Sequence, residues 1–247
     1  MILLAILLCT SFFGLEKRED LQPMKVSVVI PCHSKHFSLL SYLLSQYSQQ
    51  TRLPEEIVIS LSGVRFLSSA EIRELENRTW PFALKVIQTQ ENLSAAENRN
   101  IACRASSGDL LICQDADDFT HLRRVEVIQY LFENYKIDVL MHKFTMDYSD
   151  LRIPVPKDIL PYCALHCEAV ETAFHNLCQG CPALTKEVFQ EIQWPSVPGE
   201  DSVFTGLVCH RFKNFVILSF PLYLYRPIYR PDPRPNRDNI LSSVRGG

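Results

Sequence analysis

Three aspartates stand almost side by side at Asp115, Asp117 and Asp118, directly after an apolar run from Leu110 to Cys113. Carboxylates this close repel one another unless a cation lies among them or one takes up a proton. The preceding run has the length and the bounding residues of a buried strand. Its end can therefore deliver two or three acidic oxygens to one point. Mg2+ and Mn2+ accept such oxygens and keep other positions for water or phosphate. A bare Asp-x-Asp is equally a solvated acidic turn, so the elements around it decide between the two.

Those elements alternate. A β-branched run, Val26 to Ile30, is stopped by Pro31 and reads as a buried strand with a loop over 31–35. Further strands are expected over 57–61, 84–89, 110–114 and 137–144. Between them fall helices over 36–49, 68–77, 95–106 and 122–135. The first carries an apolar stripe at Phe37, Leu40, Leu43, Leu44 and Tyr47; the second opens on a capping box, Ser68 with Glu71; the third is closed by Gly108. Strand and helix in alternation imply an α/β/α sandwich around a mostly parallel sheet. Ligands of such sheets bind beyond the carboxyl ends of the strands. That edge would hold the loops 31–35 and 61–64 together with the aspartates.

The second half is less regular. Residues 145–167 contain Pro154, Pro156 and Pro161 and are expected to cross the surface. Helices are expected over 168–177, 185–192 and 202–211, the last packing Val203, Leu207 and Val208 inward, before a strand over 215–220. From 226 to 247 prolines and arginines dominate, which reads as an extended tail.

Composition narrows the partners. With 247 residues, 47% hydrophobic and 21% charged, the chain can bury a substantial core. A net charge of -3 and a pI near 6.2 leave no basic excess for nucleic acid. Only 8 glycines are present, and neither GxxxxGK[ST] nor GxGxxG occurs, so no Gly-rich phosphate loop is expected. Residues 1–15 are apolar and uncharged, short for a bilayer span, and lack a basic residue ahead of the apolar core. They read as a signal or weak anchor, or, if Met24 is the start, 1–23 is an upstream extension. Nine cysteines, odd in number and mostly in apolar runs, read as reduced thiols. Cys163, Cys167, Cys178 and Cys181, with His166 and His175 between them, form a looser set in which structural zinc competes with ordinary buried or loop thiols.

Four segments, spread over roughly residues 24–225, resemble glycosyltransferase family two, whose fold is GT-A. Val-Ser-Val-Val-Ile-Pro at 26–31 is similar to the family's opening strand, and Arg99-Asn100 followed by Gly108-Asp109 to its arginine–asparagine helix. Gln114 to Asp118 resembles its metal motif, and 179–201, ending Gly199-Glu200-Asp201, its acceptor-side helix and Glu-Asp motif. The resemblance implies a nucleotide-sugar-binding half over 24–144 and an acceptor half over 145–225. It implies Asp115 and Asp117 on the nucleotide and its Mn2+ or Mg2+, with Asp118 as a third metal residue. Pro31, Cys32, Ser60, Ser62, Arg99 and Asn100 would line the donor, and Asp201, beside Glu200, would be the base. Two departures stand out. Ser60-Leu61-Ser62-Gly63 occupies the place where the family usually has base-reading aspartates, and no histidine follows Tyr225-Arg226.

The function implied is metal-dependent, inverting transfer of a sugar, of hexosyl type, from a nucleoside-diphosphate sugar, a UDP-sugar first. The acceptor would be a carbohydrate, lipid or protein hydroxyl. A haloacid-dehalogenase-like phosphatase shares the strand-then-Asp-x-Asp pattern, but there it ends the first strand and not the fourth. A catalytically inactive sugar-nucleotide-binding module is the alternative from another class. The reduced thiols and the apolar start place the chain in the cytoplasm or on the cytoplasmic face of a membrane, with weak membrane association through 1–15. A secretory lumen follows instead if those residues act as a signal. Asp201 and Glu200 also have a plain structural reading, as cap and dipole partner of the helix they open.

Overall fold

The computed structural model describes residues 15–165, 177–178 and 180–225. Its strands are β1 Val26–His33, β2 Glu56–Ser62, β3 Ala83–Thr89, β4 Leu110–Cys113, β5 Phe119–Thr120, β6 Val139–Thr145, β7 Cys163–Leu165, β8 Ala183–Thr185 and β9 Phe215–Leu224. Its α-helices are α1 Phe37–Tyr47, α2 Ser69–Asn77, α3 Ala95–Ala105, α4 Arg124–Asn134, α5 Lys186–Glu191 and α6 Glu200–Arg211. One sheet runs in the order β3-β2-β1-β4-β8-β6-β9-β5, with β7 added alongside β9. β1 to β4 are parallel to one another, as the alternation of strand and helix requires. β8 enters antiparallel to both β4 and β6, while β6 and β9 are parallel. The sheet is thus mixed beyond β4.

Both faces of the sheet are covered, and the strands show why. Val28 and Ile30 of β1, and Ile57 and Ile59 of β2, face a core with Leu40, Leu44, Ile128 and Leu131 from α1 and α4. Their neighbours Val29 and Val58 face the other core, with Ala102, Phe189, Phe204 and Val208 from α3, α5 and α6. Side chains alternate across a strand, so a strand buried on both faces must be apolar at nearly every position.

Several expectations need correction. Pro31 does not stop β1, which continues to His33 opposite Ser62. The β4 ladder ends at Val29–Cys113, so Pro31 sits where its missing N–H is not needed on that side. Gly108 does not close α3 by a left-handed cap: the C-cap is Ser106, at φ -74. Gly108 is needed for close approach instead, because a Cβ there would lie 2.7 Å from Ser27 N and 2.9 Å from Lys25 O. In α6 the buried stripe is Phe204 and Val208, while Val203 and Leu207 are 42% and 47% exposed. The inward face was displaced by one residue, which on a helix rotates it by about 100°. The helix expected over 168–177 and the tail beyond 225 lie outside the described residues, apart from Leu177, which bridges to Lys143.

Residues 15–23 are joined to the domain. Leu15 packs against the core, Lys17 bridges to Tyr135, and Arg18 N donates to Asn134 O at 3.0 Å. Arg18 Nη1 donates to Phe132 O, so a cation meets the carbonyl end of α4. Starting the chain at Met24 would remove these contacts. No helix among the described residues is long and apolar enough to cross a membrane.

Candidate active site

The sequence sets α3 on a capping box, Ser94 Oγ accepting from Glu97 N and Glu97 receiving Ser94 N at 2.8 Å. Its other end is held from far along the chain, where Lys186 Nζ donates to Cys103 O, Ser106 O and Ser106 Oγ. Fixed at both ends, α3 places Arg99 under the carboxyl edge of the sheet with its side chain only 3% exposed. Nη1 of Arg99 reaches Asp201 Oδ1 at 2.8 Å, and Nη2 reaches Asp115 Oδ1 at 3.1 Å. Glu200 Oε1 is 3.8 Å from Nη1. One guanidinium therefore joins the exit of β4 to the first turn of α6.

The electrostatics follow from that junction. Burial alone would push the Arg99 guanidinium down, but Asp115 and Asp201 overcome it and hold the group well above its ordinary value. Asp201 moves the other way from most ion-paired carboxylates. Burial raises it, Arg99 opposes, and Asp115 and Glu200 raise it further. Two carboxylates surplus to one cation leave negative potential at the mouth of the site. Asp201 does not cap α6: the N-cap is Gly199, at φ 73, without a side-chain bond. Glu200 is likewise not turned away from the site; it shares the Arg99 guanidinium with Asp201.

The three sequential aspartates face separate partners. Asp115 takes Arg99, Asp117 Oδ2 lies 3.6 Å from His36 Nδ1, and buried Asp118 accepts from Tyr223 OH at 2.9 Å. They do not converge on one point as three ligands, and among the described residues no group of three or more His, Cys, Asp or Glu side chains does so. Asp118 is 2% exposed and tied to Tyr223, so it supports the loop from below. Asp115 and Asp117 keep side-chain exposures of 28% and 23% and are the two open to the cleft.

Other candidates are buried. Cys32 is 1% exposed, and burial, with Asp117 nearby, pushes its thiol up. Pro31 lies within β1, paired with Ser60. Ser60 Oγ donates to Asn98 Oδ1 at 2.8 Å and Ser62 Oγ accepts from Asn98 Nδ2 at 2.9 Å, all three fully buried or nearly so. Where base-reading carboxylates were expected to be replaced, the serines instead fasten α3 to β2. Asn100 is also structural: it donates to Trp194 O at 2.8 Å and accepts from Trp194 N at 3.0 Å. That clamp fixes the segment ahead of α6, with Trp194 stacked on Phe204 at 3.9 Å.

Residues not singled out by the sequence complete the site. Gly180 lies at its centre: a Cβ there would be 3.0 Å from Asp201 Oδ2, 3.1 Å from Arg99 Nη2 and 3.3 Å from Asp115 Oδ2. Tyr223 reaches Asp118, and Tyr225 is close enough to Asp118, Asp117 and Asp115 for them to raise its phenol, after burial. Asn98 carries a local signal, since it precedes Arg99 within the recognised helix. Gly180 and Tyr223 carry none. The zinc set does not assemble from its described members, because Cys163 packs against the α1–α4 core while Cys178 and Cys181 lie with Tyr223.

The family model for glycosyl transferase family 2 matches residues 27–193. An uncharacterised glycosyltransferase of Haemophilus influenzae is 28% identical over 118 residues, 47% of this chain and 38% of that protein. YwdF of Bacillus subtilis, of the same description, is 26% identical over 150 residues, 53% of this chain and 54% of its own. The chain thus spans about half or less of these relatives. Among solved structures, S. aureus TarS with UDP-GlcNAc aligns at TM-score 0.65 and 19% identity, covering 85% of this chain and 60% of TarS. The mannosyltransferase PcManGT of Pyrobaculum calidifontis, with GDP-Man and Mn2+, aligns at 0.62 and 15%, covering 88% and 61%. Glucosyl-3-phosphoglycerate synthase of Mycobacterium tuberculosis, with Mn2+, UDP and its product, aligns at 0.58 and 16%, covering 90% and 76%.

Proposed function

The chain belongs to glycosyl transferase family 2, and from that premise we propose that it transfers a sugar from a nucleoside-diphosphate sugar to an acceptor hydroxyl by metal-assisted, inverting displacement. The observation that carries the reading is the Arg99 fork, which ties Asp115 of the donor half to Asp201 of the acceptor half. The phosphatase reading falls with the family match.

The donor set fits Mn2+ or Mg2+. Asp115 and Asp117 offer only carboxylate oxygen, and both remain partly open. Such ions are commonly held by one or two carboxylates, with the diphosphate and water filling the rest. When bound, the ion neutralises charge on the departing diphosphate. Asp201, fixed in the first turn of α6, takes the acceptor proton as the new C–O bond forms and the bond to the diphosphate oxygen breaks. Inversion follows from attack opposite the leaving group. Arg99 holds Asp201 and Asp115 in one frame, which is positioning of the kind that turns a bimolecular encounter into an oriented one. Gly180 keeps that frame open, since any side chain would fill it.

UDP-sugars are the first donors to test, as TarS was solved with one and PcManGT with a GDP-sugar. Incubating the full chain with UDP- and GDP-sugars, with Mn2+ and with excess chelator, should release nucleoside diphosphate from one donor in the metal samples only. Release from none of them, with no thermal shift by any donor, would contradict the proposal.

A further inference from the structure

A buried cation lies beneath the acidic loop, and the proposed chemistry leaves it unused. Arg124, the first residue of α4, is fully buried, and each of its five N–H donors has an acceptor. Nε donates to His142 Nε2 at 3.0 Å; Nη1 donates to Tyr47 OH and Gln114 Oε1, both at 3.1 Å. Nη2 donates to Cys113 O at 2.8 Å and Cys181 O at 3.2 Å. These acceptors are two carbonyls, an amide, a phenol and an imidazole, with no carboxylate among them. His142 is neutral there, pushed down to about 3 by burial and then by Arg124 itself. Burial likewise pushes the Tyr47 phenol up to about 12. A buried guanidinium whose acceptors among the described residues are all neutral forfeits solvation that they only partly replace. An apolar side chain would fill the space without that cost, so packing alone does not account for a guanidinium here.

The bonds show what the fork does. The β4–β8 ladder ends at Ile112–Ala183, with one more bond from Cys113 N to Pro182 O. Nη2 joins the two chains at that point, one residue before Asp115's neighbour Gln114 and one after Gly180. Beyond it, Asp115 keeps one long backbone bond, its carbonyl accepting from Asp118 N at 3.4 Å, and is otherwise held by two side chains. Its N–H donates to Tyr223 OH at 3.2 Å, and its carbonyl accepts from Gln114 Nε2 at 2.9 Å. Both holders rest on Arg124: Gln114 Oε1 accepts from it, and the Tyr223 ring lies 5.3 Å from its Cζ. Tyr223 also fixes Asp118, and Cys181 Sγ donates to its hydroxyl.

We infer that Arg124 is a positioning residue for the metal–diphosphate site, acting through the geometry of its fork on Cys113, Gln114 and Cys181 and not through its charge. The inference rests on the proposed function only for the identity of the ligand. Arg124→Lys keeps the charge but cannot reproduce five donors in one plane. It should weaken binding of UDP or GDP with Mn2+ by roughly tenfold or more, the equivalent of losing one or two net hydrogen bonds. In the ligand-free chain it should speed amide exchange across 114–118 about tenfold while leaving α2 unchanged. Phe132→Leu, buried on the same helix, is the control for general destabilisation: it should lower the melting temperature and change neither readout. If Arg124→Lys does not fold, Tyr223→Phe removes one hydroxyl from the same network and should give both effects at about threefold to tenfold. Binding and exchange no different from Phe132→Leu in whichever variant folds would overturn the inference. Failure of the wild type to bind either nucleotide would instead count against the functional reading, and the exchange measurement would still decide the role of Arg124.

Discussion

Asp201→Asn is expected to lower sugar transfer by about 10²–10⁴, the usual worth of a positioned base, while leaving binding of nucleotide and metal nearly intact. An acceptor hydroxyl at neutral pH is a poor nucleophile until its proton is taken. Asparagine keeps the shape of Asp201 and can still accept from Arg99 Nη1, now 2.8 Å away, but cannot take a proton. Folding should suffer little. Burial, then Asp115 and Glu200, raise the Asp201 carboxyl against the pull of Arg99, so its ionised form costs folding free energy. The folded state binds this proton more tightly than the unfolded chain. That stability is full below the ordinary carboxylate value and is lost as pH rises through the raised one. Asparagine escapes the loss at neutral pH. The same shift sets the acid limb of the wild-type pH–rate profile above the ordinary aspartate value. Near-wild-type transfer by Asp201→Asn, at equal folded fraction, would move the base to Glu200, whose Oε1 lies 3.8 Å from the same guanidinium.

Asp117→Asn is expected to have the second large effect, on donor binding. Asp117 is open to the cleft, and its near neighbour is His36, with which it makes at most a weak ion pair at 3.6 Å. It supports no strand and no buried network, unlike Asp118 with Tyr223. Removing its charge should therefore leave the melting temperature within about 2 °C in metal-free buffer, since surface changes of this kind are worth about ±0.5 kcal/mol or less. Affinity for a nucleoside diphosphate with Mn2+ should fall by about 10²-fold or more, because a charged ligand–metal contact in a partly desolvated site has no neutral substitute. Titration calorimetry with and without Mn2+ reads this directly. Unchanged affinity in the presence of Mn2+ would mark the motif as a solvated turn.

The first half of the chain was legible because its signals are local. Runs such as Val26 to Ile30 and Leu110 to Cys113 give parallel strands, and Ser68 with Glu71 forms the expected capping box. Ser94 with Glu97 carries the same signal one helix later. What escaped reading depends on partners distant in sequence. Asn100 sits beside a residue of the site yet spends both polar atoms on Trp194, 94 positions away. Pro31 continues its strand because β4 is short on that side. Val203 and Leu207 fit an apolar helix pattern, but the core selects the neighbouring row through Phe204 and Val208. β8 is three residues long, and only its pairing with β4 and β6 shows that it runs antiparallel. Gly180 is an unremarked residue in sequence, yet in space a Cβ there would lie within 3.3 Å of three charged groups.

On the proposed function, one metal-bound nucleotide lies between the exit of β4 and the first turn of α6. Paramagnetic broadening tests it most directly: amide resonances of the ¹⁵N-labelled chain are recorded with UDP or GDP, first with Mg2+ and then with Mn2+. Mn2+ is expected to broaden the amides of Asp115, Ala116, Asp117, Gly180 and Asp201 together and to spare α2. Broadening at Asp115–Asp117 that leaves Gly180 and Asp201 sharp, or broadening elsewhere on the surface, would contradict it.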